Sequence, residues 1–170
     1  MTFAIDSTVA TLTGSQILTG KTIDVDNNTL SNVEVDNLKQ LNKDFFGATK
    51  DFFNLTFIEK NLDSIIFSCS FPNSCANPMG FVQGGMISAV LDDATSIAMI
   101  SGYENNKAPM TTDLHVLFHR PLPLEDARIE VKIIKLGNRS ATAEGRIFNR
   151  DNKLAATLLH TAQPVDAPNQ

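Results

Sequence analysis

The chain has 170 residues, of which 42% are hydrophobic and 19% charged, ordinary values for a globular domain with a substantial core. A formal net charge of −5 argues against nucleic acid as the main partner, because phosphate binding draws on a surplus of Lys and Arg. No apolar run approaches the roughly 20 residues that span a bilayer, and the opening MTFAIDSTVATLTGS has no basic stretch leading into an apolar one. Cys69 and Cys75 are too few for a disulfide framework, so the expectation is a cytoplasmic protein with reduced thiols and no membrane partner.

Residues 1–36 are rich in Thr, Asn, Asp and Ser and offer little apolar surface. They read as an N-terminal extension dispensable for the fold, and residues 37–170 as the folded domain. Within the extension Gly20 to Val33 resembles segments of bacteriophage tail-fibre chains; a mobile or edge-strand extension is the alternative.

Leu38, Leu41, Phe45 and Phe46 recur at helical offsets and predict an amphipathic helix ending near Phe52 or Phe53. Leu55 to Lys60 and Ser64 to Phe71 read as strands, the second alternating with a period of two. Pro72 to Gly85 carries Pro, Asn and Gly without periodicity and reads as a loop. Met86 to Ser101 is apolar nearly all round, which predicts a helix buried on most sides. After a polar loop through Asn105, Asn106 and Pro109, four strand-like stretches follow, joined by GNR and NRDN turns. One long helix against a large antiparallel sheet is an α+β architecture.

Candidate chemistry gathers on the predicted core helix. Gly84 and Gly85 stand where loop becomes helix, where unpaired N–H groups and the positive end of the helix dipole could hold a carbonyl oxygen as its charge grows. A tight turn needing positive φ would explain them equally well. Asp92 and Asp93 fall in the middle of the helix, where an ionised carboxylate is unfavourable unless paired or used. Asp92 follows Gly85 by seven residues and shares its face, whereas Asp93 is rotated about 100° further. The helical rise between Gly85 and Asp92 is about 10 Å, too far for both to touch one carbonyl. If they cooperate, two subunits must supply them.

At these residues the sequence resembles a family. NPMGFVQGGMISAVLDDA (Asn77 to Ala94) followed by MTTDLHVLFHRP (Met110 to Pro121) is similar to the N-x-x-G-x-x-H-G-G…D and T…FLRP pattern of PaaI-like hotdog-fold acyl-CoA thioesterases. The resemblance implies a hotdog fold, a long central helix wrapped by an antiparallel sheet, in a homodimer or homotetramer. It implies Asp92 as catalytic acid, acting as nucleophile or as base on water, and Gly84 as the glycine whose N–H polarises the thioester carbonyl. By the same match Asn77 helps hold the reacting water or carboxylate, and Thr111 bonds the attacking group across the dimer. Gln83 stands where the family usually has histidine; it can orient a group by hydrogen bonding but cannot relay a proton. No cofactor is implied, CoA being part of the substrate.

Arg120 and Arg139 are candidates, with Gly85, for binding substrate, since an arginine fork suits the phosphates of CoA. His115 and His119, even with Asp113, make no convincing metal site, and none is expected. Two rivals remain: a non-catalytic acyl-CoA-binding or structural hotdog domain, and a hydratase or dehydratase. The hydratase needs an acid/base pair such as a histidine with a helix carboxylate, and no histidine occurs before Lys107. The acyl group is left open.

Overall fold

The computed structural model describes residues 48–167. The N-terminal extension, its boundary and the first part of the predicted helix lie outside these residues. The end of that helix is seen as α1 (Ala48–Phe52), followed by β1 (Thr56–Lys60), β2 (Ile65–Cys69), a 3-10 turn at Asn73–Cys75 and the long helix α2 (Gly84–Gly102). Four strands complete the chain: β3 (Lys107–Phe118), β4 (Ala127–Leu136), β5 (Ala141–Phe148) and β6 (Leu154–Asp166). They form an antiparallel six-stranded sheet in the order β1-β2-β4-β5-β6-β3, with α2 packed on one face.

Alternation places the core as the sequence implies. Ile129 and Val131 of β4, Ala143 and Ile147 of β5, and Ala156, Leu158 and His160 of β6 face α2 and are fully buried. From the helix they meet Val90, Leu91, Ala94, Thr95, Ile97 and Ala98. Gly145 permits the close approach, since a Cβ there would lie 3.0 Å from the Thr95 methyl and 3.3 Å from a Leu91 methyl. Gly145→Val is therefore expected to destabilise the fold by about 1–3 kcal/mol through overpacking. Urea unfolding checks this.

Several predicted boundaries move. Strand β3 starts at Lys107, so Pro109 sits in a strand where a loop was expected, and it pairs with Pro164 of β6. Strand β5 stops pairing at Ala141 opposite Ala162, so both prolines lie beyond it and break no ladder inside the sheet. The helix begins two residues earlier than expected, at Gly84.

The strand order decides which strands have a free edge among the described residues. The last strand, β6, is flanked by β5 and β3 and has no free edge. Among the described residues the edges are β1 and β3. Strand β1 is short and ends on Glu59 and Lys60, which guard it against addition of another strand. Strand β3 runs for 12 residues with Met110, Leu114, Leu117 and Phe118 exposed.

No helix among the described residues is long and apolar enough to cross a membrane.

Candidate active site

The loop before α2 is held in place by its backbone. Gln83 N–H donates to the Cys75 carbonyl at 2.8 Å and Val82 N–H to the Leu122 carbonyl at 2.9 Å. Asn77 closes the tip, its Oδ1 accepting from the N–H groups of Met79 (2.9 Å) and Phe81 (3.2 Å), and Gly80 takes the turn at φ +81°. The Asn77 oxygen thus organises its own loop, and the amide NH2 is the part of the side chain left to offer.

Gln83 caps α2 through its backbone, the carbonyl receiving Met86 N–H at 2.9 Å and Ile87 N–H at 3.2 Å, while its side chain makes no capping bond. That side chain lies over Gly85, where a Cβ would come within 2.9 Å of Gln83 Oε1. Neither Gly84 nor Gly85 has positive φ, so the tight-turn explanation of the pair does not hold. The Phe118 ring covers Gly84 closely, 3.1 Å from where a Cβ would stand.

Around this helix start is a cavity of about 480 Å³. Met79, Phe81, Ile87, Phe118 and Leu122 supply an apolar wall, and Asn77, His119 and Arg120 supply polar groups. Asn77, Gly84 and Arg120 are therefore brought together. Arg139 is not: it belongs to the β4–β5 turn, whose Gly137 carbonyl accepts the Tyr103 hydroxyl at 2.7 Å, and so stands at the opposite end of α2.

Asp92 and Thr111 meet in a second cluster, away from the cavity. The Thr111 hydroxyl lies 3.3 Å from Asp92 Oδ1, within one chain, where the family resemblance implied a bond across the dimer. A bulge makes this contact. Thr111 pairs with Ala162 but Asp113 with Thr161, so the extra residue, Thr112, resets the alternation and Thr111 shares the inward face with Leu114. Thr112 turns its hydroxyl to the Thr161 carbonyl instead, at 3.0 Å.

The third member of this cluster escaped sequence reasoning. His160 on β6 is fully buried; its Nδ1 lies 2.7 Å from Thr95 Oγ1 and 3.5 Å from Asp92 Oδ1, and its Nε2 lies 3.1 Å from Thr111 Oγ1. The available signal was period two: in LAATLLHTAQ the histidine occupies an inward position with Leu158 and Ala162. Burial pulls its pKa below the usual imidazole value, against an upward pull from the Asp92 carboxylate.

Asp93 differs from its neighbour. Its Oδ2 is buried and has no hydrogen-bond partner among the described residues. Burial, and then the charge of Asp92, push its pKa up to about 6. In the native state Asp93 keeps a proton that the unfolded chain releases from about pH 3.8, so this group weakens stability progressively as pH rises from there to about 6 and fully above it. Asp93→Asn is expected to stabilise the protein at pH 7 by about 1–2 kcal/mol after allowance for solvent screening, and to give no gain near pH 3.8. Urea midpoints at the two pH values check it.

The cysteines take no part. Burial pushes Cys69 up to about 12 and raises Cys75 as well, so both are inert thiols rather than nucleophiles. Among the described residues no group of three or more His, Cys, Asp or Glu is placed to hold a metal.

Comparison with known proteins bears on this arrangement. The thioesterase superfamily model matches residues 79–156, from the loop before α2 into β6. No curated protein matches the chain by sequence. Among solved structures, a phenylacetic acid degradation-related protein of Ralstonia eutropha JMP134 is 25% identical with a TM-score of 0.68, over 78% of this chain and 99% of that one. The Escherichia coli PaaI protein from the phenylacetic acid degradation operon shares the fold at 14% identity and a TM-score of 0.69, over 79% of this chain and 94% of its own. A Streptococcus mutans UA159 protein solved bound to acetyl CoA shares it at 15% identity and a TM-score of 0.63, over 74% of this chain and 100% of that one. Residues 79–156, a stretch that holds the glycine pair, Asp92 and Thr111, thus match the thioesterase superfamily, and the long helix laid on an antiparallel sheet is the hotdog fold.

Proposed function

We propose that this protein hydrolyses acyl-CoA thioesters, with Asp92 attacking the acyl carbonyl or activating the water that does. The observation that carries this reading is the Asp92 carboxylate, 34% exposed on the central helix and within reach of the Thr111 hydroxyl. In a thioesterase-superfamily fold, a solvent-accessible carboxylate beside an orienting hydroxyl is equipped to act on an electrophile. The Gly84 N–H at the start of α2, backed by the helix dipole, stabilises the oxyanion. A thiolate leaves readily, so the step asks for little acid assistance, which suits a site with Gln83 in place of histidine.

Gly84 and Asp92 are eight residues apart on α2, about 12 Å of rise, so one reacting carbonyl takes them from two subunits. The exposed edge of β3 is the seam this requires, giving a homodimer at least. The cavity at Gly84 combines an apolar wall with Arg120, a composition suited to the apolar and phosphate parts of an acyl-CoA.

The hydratase rival needs a histidine beside the helix carboxylate, and His160 is one. Its complete burial keeps the imidazole from any substrate, which argues against that chemistry. Release of free thiol from a panel of aryl, short-chain and medium-chain acyl-CoAs tests the proposal; binding of these compounds without turnover would leave the non-catalytic rival standing. Gln83→His is expected to leave kcat equal or higher, because the side chain at 83 orients rather than relays; a loss beyond about tenfold in the same assay would contradict this.

A further inference from the structure

The Asp92 cluster contains more hydrogen-bonding groups than its protons can satisfy at once. Thr95 has one hydroxyl hydrogen, and the helix takes it: Oγ1 donates to the Leu91 carbonyl at 2.8 Å and shares with the Asp92 carbonyl at 3.0 Å. The His160 Nδ1 that lies 2.7 Å from this oxygen must therefore carry the hydrogen and donate. In a neutral ring Nε2 is then a bare acceptor, and the group beside it is the Thr111 hydroxyl at 3.1 Å. Thr111 also has a single hydrogen, with two acceptors in reach, Nε2 and Asp92 Oδ1 at 3.3 Å. Giving it to the shorter contact leaves the Asp92 carboxylate no hydroxyl donor among the described residues, the His160 Nδ1–H, turned to Thr95, standing 3.5 Å away.

We propose that His160 is a positioning residue that sets the direction of the Thr111 hydroxyl proton: neutral, it draws that proton to Nε2 and leaves Asp92 free to react, and protonated, it turns the proton onto Asp92. In the protonated ring both nitrogens donate, Nδ1 to Thr95 and Nε2 to Thr111, whose hydrogen then goes to Asp92 Oδ1, the other side-chain acceptor in reach among the described residues. The carboxylate is occupied and becomes a poorer nucleophile and base. The titratable groups facing His160 are few. Helix α2 presents Asp92, with Asp93 next to it; Asp113 of β3 pairs with Thr161 and Glu144 of β5 with Leu159, both on the far face of the sheet. The inference rests on Asp92 being the reacting carboxylate.

Two measurements on the full chain test it. Ring 15N NMR across about pH 4–8, which spans histidine titration, with the three histidines assigned through His115→Gln and His119→Gln, reads the tautomer whatever the protein's activity. The expected result is Nδ1–H with bare Nε2 at neutral pH, and Nε2–H as the neutral form overturns the proposal. In thiol release from acetyl-CoA and benzoyl-CoA, the acid limb of kcat should follow the His160 titration seen by NMR. His160→Gln should lose that limb and lower kcat about 10- to 100-fold at neutral pH with KM within about threefold. A purely structural role would lower activity and leave the limb where it was, and that result counts against the proposal. Should His160→Gln not fold, Thr111→Val cuts the link at an exposed position, and an acid limb still tracking His160 in that variant overturns the idea. If the wild type hydrolyses neither thioester, the functional reading is what has failed, while the tautomer still decides whether the relay runs as described.

Discussion

Replacing Asp92 by asparagine is expected to lower kcat for thioester hydrolysis by two to four powers of ten while leaving folding and acyl-CoA binding nearly intact. The amide is almost isosteric, and the contacts of His160 with Thr95 and Thr111 do not depend on its charge, so the cluster is preserved. What it loses is nucleophilicity and basicity, and removal of a sole base commonly costs on the order of 10²–10⁴ in rate. Asp93→Asn is the control. It carries the same charge change one residue away, on a side chain rotated about 100° around the helix, and should cost far less activity. Thiol release by the two variants, beside circular dichroism and titration of a non-hydrolysable acyl-CoA thioether, separates chemistry from binding. Near wild-type turnover in Asp92→Asn would end the assignment, and equal losses in both variants would mean that the helix face has been misread.

Placing lysines on the edge of β3 should have an effect of comparable size by another route. In Leu114→Lys with Leu117→Lys, two exposed apolar side chains become charged on a strand whose only neighbour among the described residues is β6. Pairing of β3 with its copy about a two-fold axis repeats each substitution on both subunits and gathers like charges at the seam. The fold should survive, since neither leucine belongs to the buried core. Sedimentation is expected to shift from at least twice 18.5 kDa toward 18.5 kDa, with activity falling at least 100-fold, because the monomer separates Gly84 from any Asp92. A wild type that sediments only as an 18.5 kDa species, or a monomeric variant that keeps its activity, would remove the two-subunit site.

Much of this protein was legible in its sequence. Period-3.6 and period-2 patterns determined the order of elements along the chain and the burial of α2, because those patterns are the direct imprint of one apolar face on each element. The phase of α2 separated Asp92 from Asp93, and the motif around Asn77 to Ala94 pointed to the glycine pair where loop becomes helix. Only the tertiary structure decided how the cluster around Asp92 closes. Thr111 reaches Asp92 because a bulge inserts Thr112 and turns the strand by one residue, and strict alternation from Leu114 would have aimed Thr112 inward instead. His160, 65 residues after Thr95, comes beside it because β6 lies between β5 and β3 in the sheet rather than at its edge. Strand order and bulges are set by which pairings bury the most surface across the whole chain, and that sum is not written in any local period.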